Sequence, residues 1–413
     1  MTSPALDAEP ACPEAAPGIA GAASPERTLR TLRRSVRDID RATWDALAAR
    51  NPWATPFARW AVHRAWWEAY GTNAHEETLV LVEADPTRGP SDTAGAGDAT
   101  PVAIVPLMHR HEVEPDDAPR RTVLRHATTA ALTPVPPTAK AVFMGASYHA
   151  DYATLLAAPD DLPAVAEAVV DYLATDTTDP APRIPWDVID LRRLRCADPA
   201  TDALALAFGR REIAAGWTLS VEREDVCPVV TLPEEGGFEA LLARLDKKDR
   251  HEIRRKVRRA EAVGPIALVD AADPLAELDR FVDLHQRRWG ADGLFPPTEG
   301  GRQSRRFLER LFELAWPEGW ICLTFLEVAG RRIGAGITFD DGATVYYYNA
   351  GIDPEAAALS PGVLLAERLI RRAIELGRRR FDFLRGNEPY KYAWGAVDEP
   401  LARILVRRSA ATP

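Results

Sequence analysis

Cysteine is scarce in this sequence and poorly placed for cross-linking. Its four copies, Cys12, Cys196, Cys227 and Cys322, lie far apart and form no CxxC pair, which speaks against both a zinc site and a disulfide framework. Reduced thiols in a cytoplasm are the expectation. Long apolar runs are missing as well: no window holds the roughly 18 or more apolar residues of a membrane span, and residues 1–26 lack the basic segment and uninterrupted apolar stretch of a secretory signal. A soluble chain is expected. Neither G-x-S-x-G, a P-loop nor a dinucleotide fingerprint occurs. The formal net charge of −10 speaks against a protein whose main business is coating nucleic acid, though not against a local basic patch.

What is present suits a packed globular chain. The 413 residues are 46% hydrophobic and 27% charged, and at roughly 100 to 200 residues per domain two domains are expected. Residues 1–26, rich in Ala, Pro, Gly and acid, read as a disordered tail that buries too little apolar surface to offset chain entropy. A first α/β half is expected over 27–235. DRATWDALAARN reads as a helix with Trp44, Leu47 and Ala48 on one face, and FARWAVHRAWWEAYG as a second helix with a tryptophan-rich stripe. ETLVLVEAD and ATPVAIVPLMHRHE read as a strand pair with a mobile connection over 86–100; DLPAVAEAVVDYLATD reads as a helix and WDVIDLRRL as a strand.

Residues 236–264 read as one basic connecting helix, carrying Lys247, Lys248, Arg250, Arg254, Arg255, Lys256, Arg258 and Arg259. This run is either a solvated helix face or an electropositive wall for phosphates or an anionic substrate. A second α/β half over 265–413 repeats the grammar of the first. After the strand PIALVDAA and two helices come WICLTFLEVAG, RRIGAGITFDDG and ATVYYYNAGI, three strands with tight turns that form an antiparallel meander. In the third, Tyr346 and Tyr348 share one face and Tyr347 the other. A helix then starts at Ser360-Pro361-Gly362, where Ser is suited to cap and Pro to the first helical position, and stops at Gly377. The strand FDFL follows. A helix start at the carboxyl end of a strand offers free N–H groups and a partial positive charge, which favour a phosphate or diphosphate.

Meander, Pro-Gly helix and FDFLRGNEPYK together resemble the C-terminal half of GNAT acetyltransferases of the CelD/BcsL type. The residues that carry the likeness are Pro361, Gly362, Asp382, Phe383, Arg385, Gly386, Glu388, Tyr390 and Lys391, and LHQRRWG resembles the family's segment ahead of the meander. The first half is similar in layout only, one shared with the FemABX peptidyltransferases. The resemblance implies an α/β fold of two tandem GNAT-like domains, with mixed, mostly antiparallel sheets flanked by helices. It also implies acetyl-CoA or another acyl-CoA as substrate, held in the second half by Ser360, Pro361, Gly362, Val363, Asn349 and Arg385. A small-molecule or peptide amine would be the acceptor. Aminoacyl-tRNA is the donor in the alternative, FemABX-like reading, and a non-catalytic scaffold of envelope or polysaccharide biosynthesis is a third.

Within that frame, strand alternation puts Phe381 and Phe383 on the core side and Asp382 on the other, toward the groove beside the cofactor helix. Acyl transfer to an amine needs a proton acceptor, donors for the oxyanion and an acid for the thiolate. Asp382 or Glu388 suits the first role, Tyr390 or Tyr392 the last, and Lys391 either stabilises negative charge or holds an acidic acceptor. Equally, Asp382 pairs with Arg385 or Lys391 and fixes the turn. Direct attack is favoured, since no cysteine nucleophile lies near the motif. No metal site is expected: His109 and His111 share a strand face but lack a third ligand. Tyr148-His149-Ala150-Asp151-Tyr152 fits no nucleophilic arrangement and in a tandem fold would line the cleft between the halves.

Overall fold

The computed structural model describes residues 28–84, 100–110, 132–136, 138–175, 186–290 and 293–408. The expected tail, most of the 86–100 connection, Cys12 and His111 lie outside the described residues. The first half runs β1 (Leu29–Arg33), α1 (Arg41–Arg50), α2 (Trp60–Tyr70), β2 (His75–Glu76), β3 (Leu79–Glu83), β4 (Pro101–Val105), β5 (Leu107–Arg110), β6 (Ala141–Met144), α3 (Leu162–Ala174), β7 (Val188–Arg195), α4 (Pro199–Ala215) and β8 (Trp217–Thr231). The second continues with α5 (Gly237–Arg244), α6 (Lys247–Glu261), β9 (Ile266–Asp270), α7 (Pro274–Trp289), α8 (Glu299–Ala315), β10 (Ile321–Val328), β11 (Arg331–Asp340), β12 (Thr344–Ile352), α9 (Pro361–Glu375), β13 (Arg380–Asp382), α10 (Pro389–Tyr392) and β14 (Val397–Arg408).

Local chemistry sets many of these bounds. Asp40 accepts from Thr43 N–H at the start of α1, which buries Trp44, Leu47 and Ala48 as their spacing requires. Asp198 and Asp273 cap α4 and α7, each followed by proline at the first helical position. Two expected elements break. ATPVAIVPLMHRHE divides at Pro106, which has no N–H for a ladder, so β4 joins a three-stranded sheet with β1 and β3 while β5 joins the large sheet. The basic helix divides into α5 and α6 at Leu245, which is extended and buried in the core around α9.

The large sheet has 11 described strands in the order β2-β5-β6-β7-β14-β8-β13-β12-β11-β10-β9. Its neighbours run antiparallel except for β6/β7 and β12/β13. Strand β14, from the end of the chain, lies between β7 and β8 of the first half. One core packs α3 and α4 on the first half and another packs α9 and α5 on the second. A third is shared, bringing Trp44, Phe57 and Trp66 together with Phe307, Phe312 and Phe339. Helix α7 crosses β12 so closely that a Cβ on Gly351 would sit 2.5 Å from the His285 nitrogen, which is why only glycine fits there. Among the described residues Cys227 and Cys322 are free thiols.

Arg403 fastens β14 in place. Its guanidinium grips both oxygens of Asp190 on β7, at 2.6 and 2.7 Å, and reaches Glu222 on β8 at 3.1 Å. Both Arg403 and Asp190 side chains are 1% exposed. Burial pushes the Asp190 carboxyl up, yet Arg403 and Arg192 together hold it below its ordinary value. Removing Arg403 leaves the buried Asp190 carboxylate to Arg192 alone. Arg403→Met is therefore expected to lower unfolding free energy by about 3 kcal/mol in urea titrations, and the double variant with Asp190→Leu to recover part of that loss.

Candidate active site

The two parallel strand pairs are the same device used twice. β6 leads through α3 to β7, and β12 leads through α9 to β13, so each half holds a parallel pair bridged by its own helix. Beyond the paired rungs the strands part. In the first half the chain fills the gap itself: Ala153 forms a parallel bridge to Leu194 and donates its N–H to Arg193, while Leu156 bridges back to Ile104. In the second half β12 pairs with β13 through Thr344–Arg380, Val345–Phe381 and Tyr346–Asp382, then runs on to Ile352. Among the described residues no backbone hydrogen bond joins that continuation to the 383–388 segment, which turns to β8 instead: Phe383 and Gly386 donate to Pro228 and Val226.

Electrostatics also separates the two gaps. The short turn that leads into α3 carries Asp160 and Asp161, a poor place for an anion. Helix α9 has no acid in its first turn. Ser360 does not cap it, contrary to the sequence expectation. The residue is left-handed (φ 56°), its side chain makes no capping bond, and its Oγ accepts instead from the Arg259 guanidinium of α6 at 2.8 Å. Val363 and Leu364 N–H groups turn back to the Ser360 carbonyl, but no described group accepts from Gly362 N–H. Nothing lies within 4 Å of where a Gly362 Cβ would be. This end of the helix is open, with a cation beside it.

Asp382 ends the last rung. Phe381 and Phe383 pack with α9 as the alternation predicts, so the carboxylate faces the side opposite that helix and not the helix itself, which corrects the expected placement beside α9. It is fully buried. Tyr152 of the first half donates to Oδ2 at 2.7 Å and Leu384 N–H to Oδ1 at 2.7 Å. Neither Arg385 nor Lys391 pairs with it. Burial pushes its pKa up to about 6, against the opposing pull of the Tyr152 and Leu384 hydrogen bonds and the nearby Arg195 charge. Arg195 stacks 4.0 Å from the Tyr152 ring centroid and approaches Glu399 at 3.8 Å. On β12, Tyr346 joins the shared core and Tyr347 the α9 core, as their alternation requires.

The other expected site residues divide. Lys391 is buried and its ammonium is consumed by the carbonyls of Leu384, Arg385 and Gly386 at 2.8–2.9 Å and by Glu388 at 3.0 Å. It holds the loop together and has no donor left for a reacting oxyanion, a correction to that expectation. Glu388 is drawn into the same cluster. Arg385 pairs with Asp151 at 3.3 Å. Tyr392 donates to Asp398 at 2.6 Å. Tyr390 is exposed, its ring edge-on to Phe383, and its hydroxyl has no hydrogen-bond partner among the described residues. Asn349 accepts from the N–H of Ala350 and contacts buried His285, whose pKa burial lowers to about 4. His109 pairs with buried Glu77 at 3.5 Å.

Tyr152 and Arg195 were not legible as site residues from spacing. The one signal was the polar-aromatic stretch around Tyr148–Tyr152, expected to line the cleft between halves; Tyr152 reaches across it to Asp382.

Residues 247–392 match the family model described as acetyltransferase (GNAT) domain. The chain is similar over 90% of its length to a crystal structure of FemX, at 10% identity and TM-score 0.53, covering 96% of that chain. It is also similar to a conserved protein of unknown function from Bacteroides thetaiotaomicron, at 11% identity and TM-score 0.50, covering 90% of this chain and 98% of that one. A tandem GNAT protein from the clavulanic acid biosynthesis pathway aligns at 13% identity and TM-score 0.43 over 93% of this chain and 100% of that one. No curated protein matches the sequence. The fold is α/β, with a mixed, mostly antiparallel sheet flanked by helices, and residues 247–392 are GNAT-like. No helix among the described residues is long and apolar enough to cross a membrane.

The raised Asp382 pKa has a consequence for stability. A carboxyl lifted from 3.8 to about 6 on folding favours the folded state most below 3.8, and that contribution is lost as pH rises through about 6. Asp382→Asn, which has the same shape and no charge, is expected to gain roughly 2–3 kcal/mol on the parent between pH 4 and pH 7, read from paired urea titrations.

Proposed function

We propose that this chain is an acyl-CoA-dependent N-acyltransferase, with acetyl-CoA the first donor to test and a small-molecule or peptide amine as acceptor. The observation that carries the reading is the unbridged gap between β12 and β13 with the open, acid-free start of α9 at its mouth, inside the segment that matches the GNAT domain. The free edge of β12 beyond Tyr346 offers backbone groups to the amides of a pantetheine arm. Gly362 N–H and Arg259 receive the diphosphate, and Pro361 and Val363 set the helix start.

The reaction is a direct attack of the amine nitrogen on the thioester carbon. Asp382, whose pKa of about 6 leaves it mostly ionised at neutral pH yet basic enough to accept, takes the amine proton. Tyr390, with its hydroxyl unengaged, protonates the departing thiolate; Tyr392 is excluded by its bond to Asp398. Lys391 and Glu388 keep the 384–386 carbonyls in place and so hold the strand end that carries Asp382. The CelD/BcsL-type motif is, on this reading, one catalytic carboxylate and a scaffold that locks its strand.

Thermal unfolding with acetyl-CoA, free CoA and charged tRNA in separate arms tests the proposal. At a hundredfold excess over Kd a ligand selective for the folded state adds about 2.7 kcal/mol, so both CoA compounds are expected to raise the melting temperature. Protection by tRNA alone overturns the reading in favour of an aminoacyl-tRNA donor. Gly362→Glu, which meets no steric obstacle, is expected to weaken CoA protection at least about tenfold by charge repulsion at the helix start while the unliganded protein melts no lower. Asp382→Asn is expected to abolish CoA release from acetyl-CoA and an amine panel while holding CoA affinity within a few-fold; unchanged turnover returns Asp382 to a structural role.

A further inference from the structure

The segment that plugs the first half's gap also reaches into the second half's site. Next to the Ala153 bridge, Asp151 meets Arg385 and Tyr152 meets Asp382. Asp382 has no solvent exposure, and two groups bond its carboxylate. One is the Leu384 backbone N–H, which keeps its proton. The other is the Tyr152 hydroxyl, whose hydrogen lies in the bond to Oδ2. Tyr152 in turn lines a cavity of about 10 Å³ with Trp53, Thr55, Thr154 and Arg195, room for about one water. Arg195, over the tyrosine ring, braces that ring from β7 and is itself directed by Glu399 of β14.

We infer that Tyr152 positions Asp382 and is the relay by which its proton arrives, so that the first half is a working part of the reaction centre. This rests on the reading of Asp382 as proton acceptor. In the step, Tyr152 Oη takes a proton from the acceptor's ammonium nitrogen, directly or through one water in the cavity, as its own hydroxyl hydrogen passes to Asp382 Oδ2. One N–H bond of the ammonium and the tyrosine's own O–H bond break, and one O–H bond forms on each oxygen. The tyrosine ends neutral, the carboxyl ends protonated, and the nitrogen lone pair is free for the thioester carbon. The remaining groups around Asp382 are the Arg195 cation, the Glu399 anion, the Cys227 thiol of β8 and the Tyr346 hydroxyl of β12. Burial raises the pKa of both Cys227 and Tyr346, so neither adds a charge at neutral pH.

The test is carboxyl ¹³C NMR of the full chain, with the Asp382 signal assigned by its loss in Asp382→Asn. In the parent the signal is expected to move continuously with pH, one sharp line in fast exchange. In Tyr152→Phe the midpoint is expected to rise by about one pH unit, because the lost hydrogen bond favoured the ionised form. The line is also expected to broaden or split, because the proton has lost its path. Arg195→Gln provides the control: it also raises the midpoint, by removing a favourable charge, but the line stays sharp because the hydroxyl remains. A Tyr152→Phe midpoint equal to the parent's overturns the positioning role, and a line that stays sharp overturns the relay. Should Tyr152→Phe fail to fold, parent lines that are broad or split through the titration overturn the relay equally. None of these outcomes depends on CoA binding, so a failure of the thermal-shift experiment is separable from a failure here.

Discussion

Three rungs of parallel pairing hold β12 against β13 before the strands part, and the position of the last rung organises the site. Had the ladder continued, the edge of β12 would be satisfied by its neighbour and no linear ligand would find free amides there. Because it stops at Tyr346 and Asp382, the bridging helix α9 stands with its start over an opening. The chain beyond Asp382 is held away from β12 by its bonds to β8 and by the Lys391 ammonium gathered on three carbonyls. The gap is thus maintained by interactions outside it.

The first half holds the same arrangement with the gap closed and acids before its helix. The comparison gives the duplication a physical sense: one copy is filled by its own chain and the other is left open, and the filling segment of the first supplies Tyr152 to the second. A shared core of aromatic residues, and β14 clamped between β7 and β8 by Arg403, keep the halves in register so that this hydrogen bond across them can be short. A carboxylate enclosed this way is raised toward neutrality by burial and kept usable by one tyrosine and one arginine.

Elements whose signals are local were legible in the sequence. The helices α1 and α9, the meander β10–β12 and the facing of Tyr346 against Tyr347 all follow from apolar spacing and breaker residues. The strands β8 and β14 carried no such signal. Their charged residues, Glu222, Glu224 and Arg403 among them, are satisfied by partners far along the chain, as Arg403 is by Asp190. The motif over 382–391 was visible as a motif, but the roles inside it were not: Lys391 read as a charge for the reaction and is the fastening of a loop, and Ser360 read as a cap and is a left-handed residue bonded by Arg259.

By itself the sequence determined the locally signalled elements, α1, α9 and the β10–β12 meander among them, that Phe381 and Phe383 face one way and Asp382 the other, and that a breaker-rich start would open α9 after the meander. These depend on periodicity and backbone freedom, properties of neighbours along the chain. Only the tertiary structure decided that Asp382 lies against Tyr152, residues that the chain separates by most of its length. It also decided which of two equivalent gaps stays open and where each buried charge finds its counterpart. Those outcomes depend on distances through space, and sequence spacing carries no information about them.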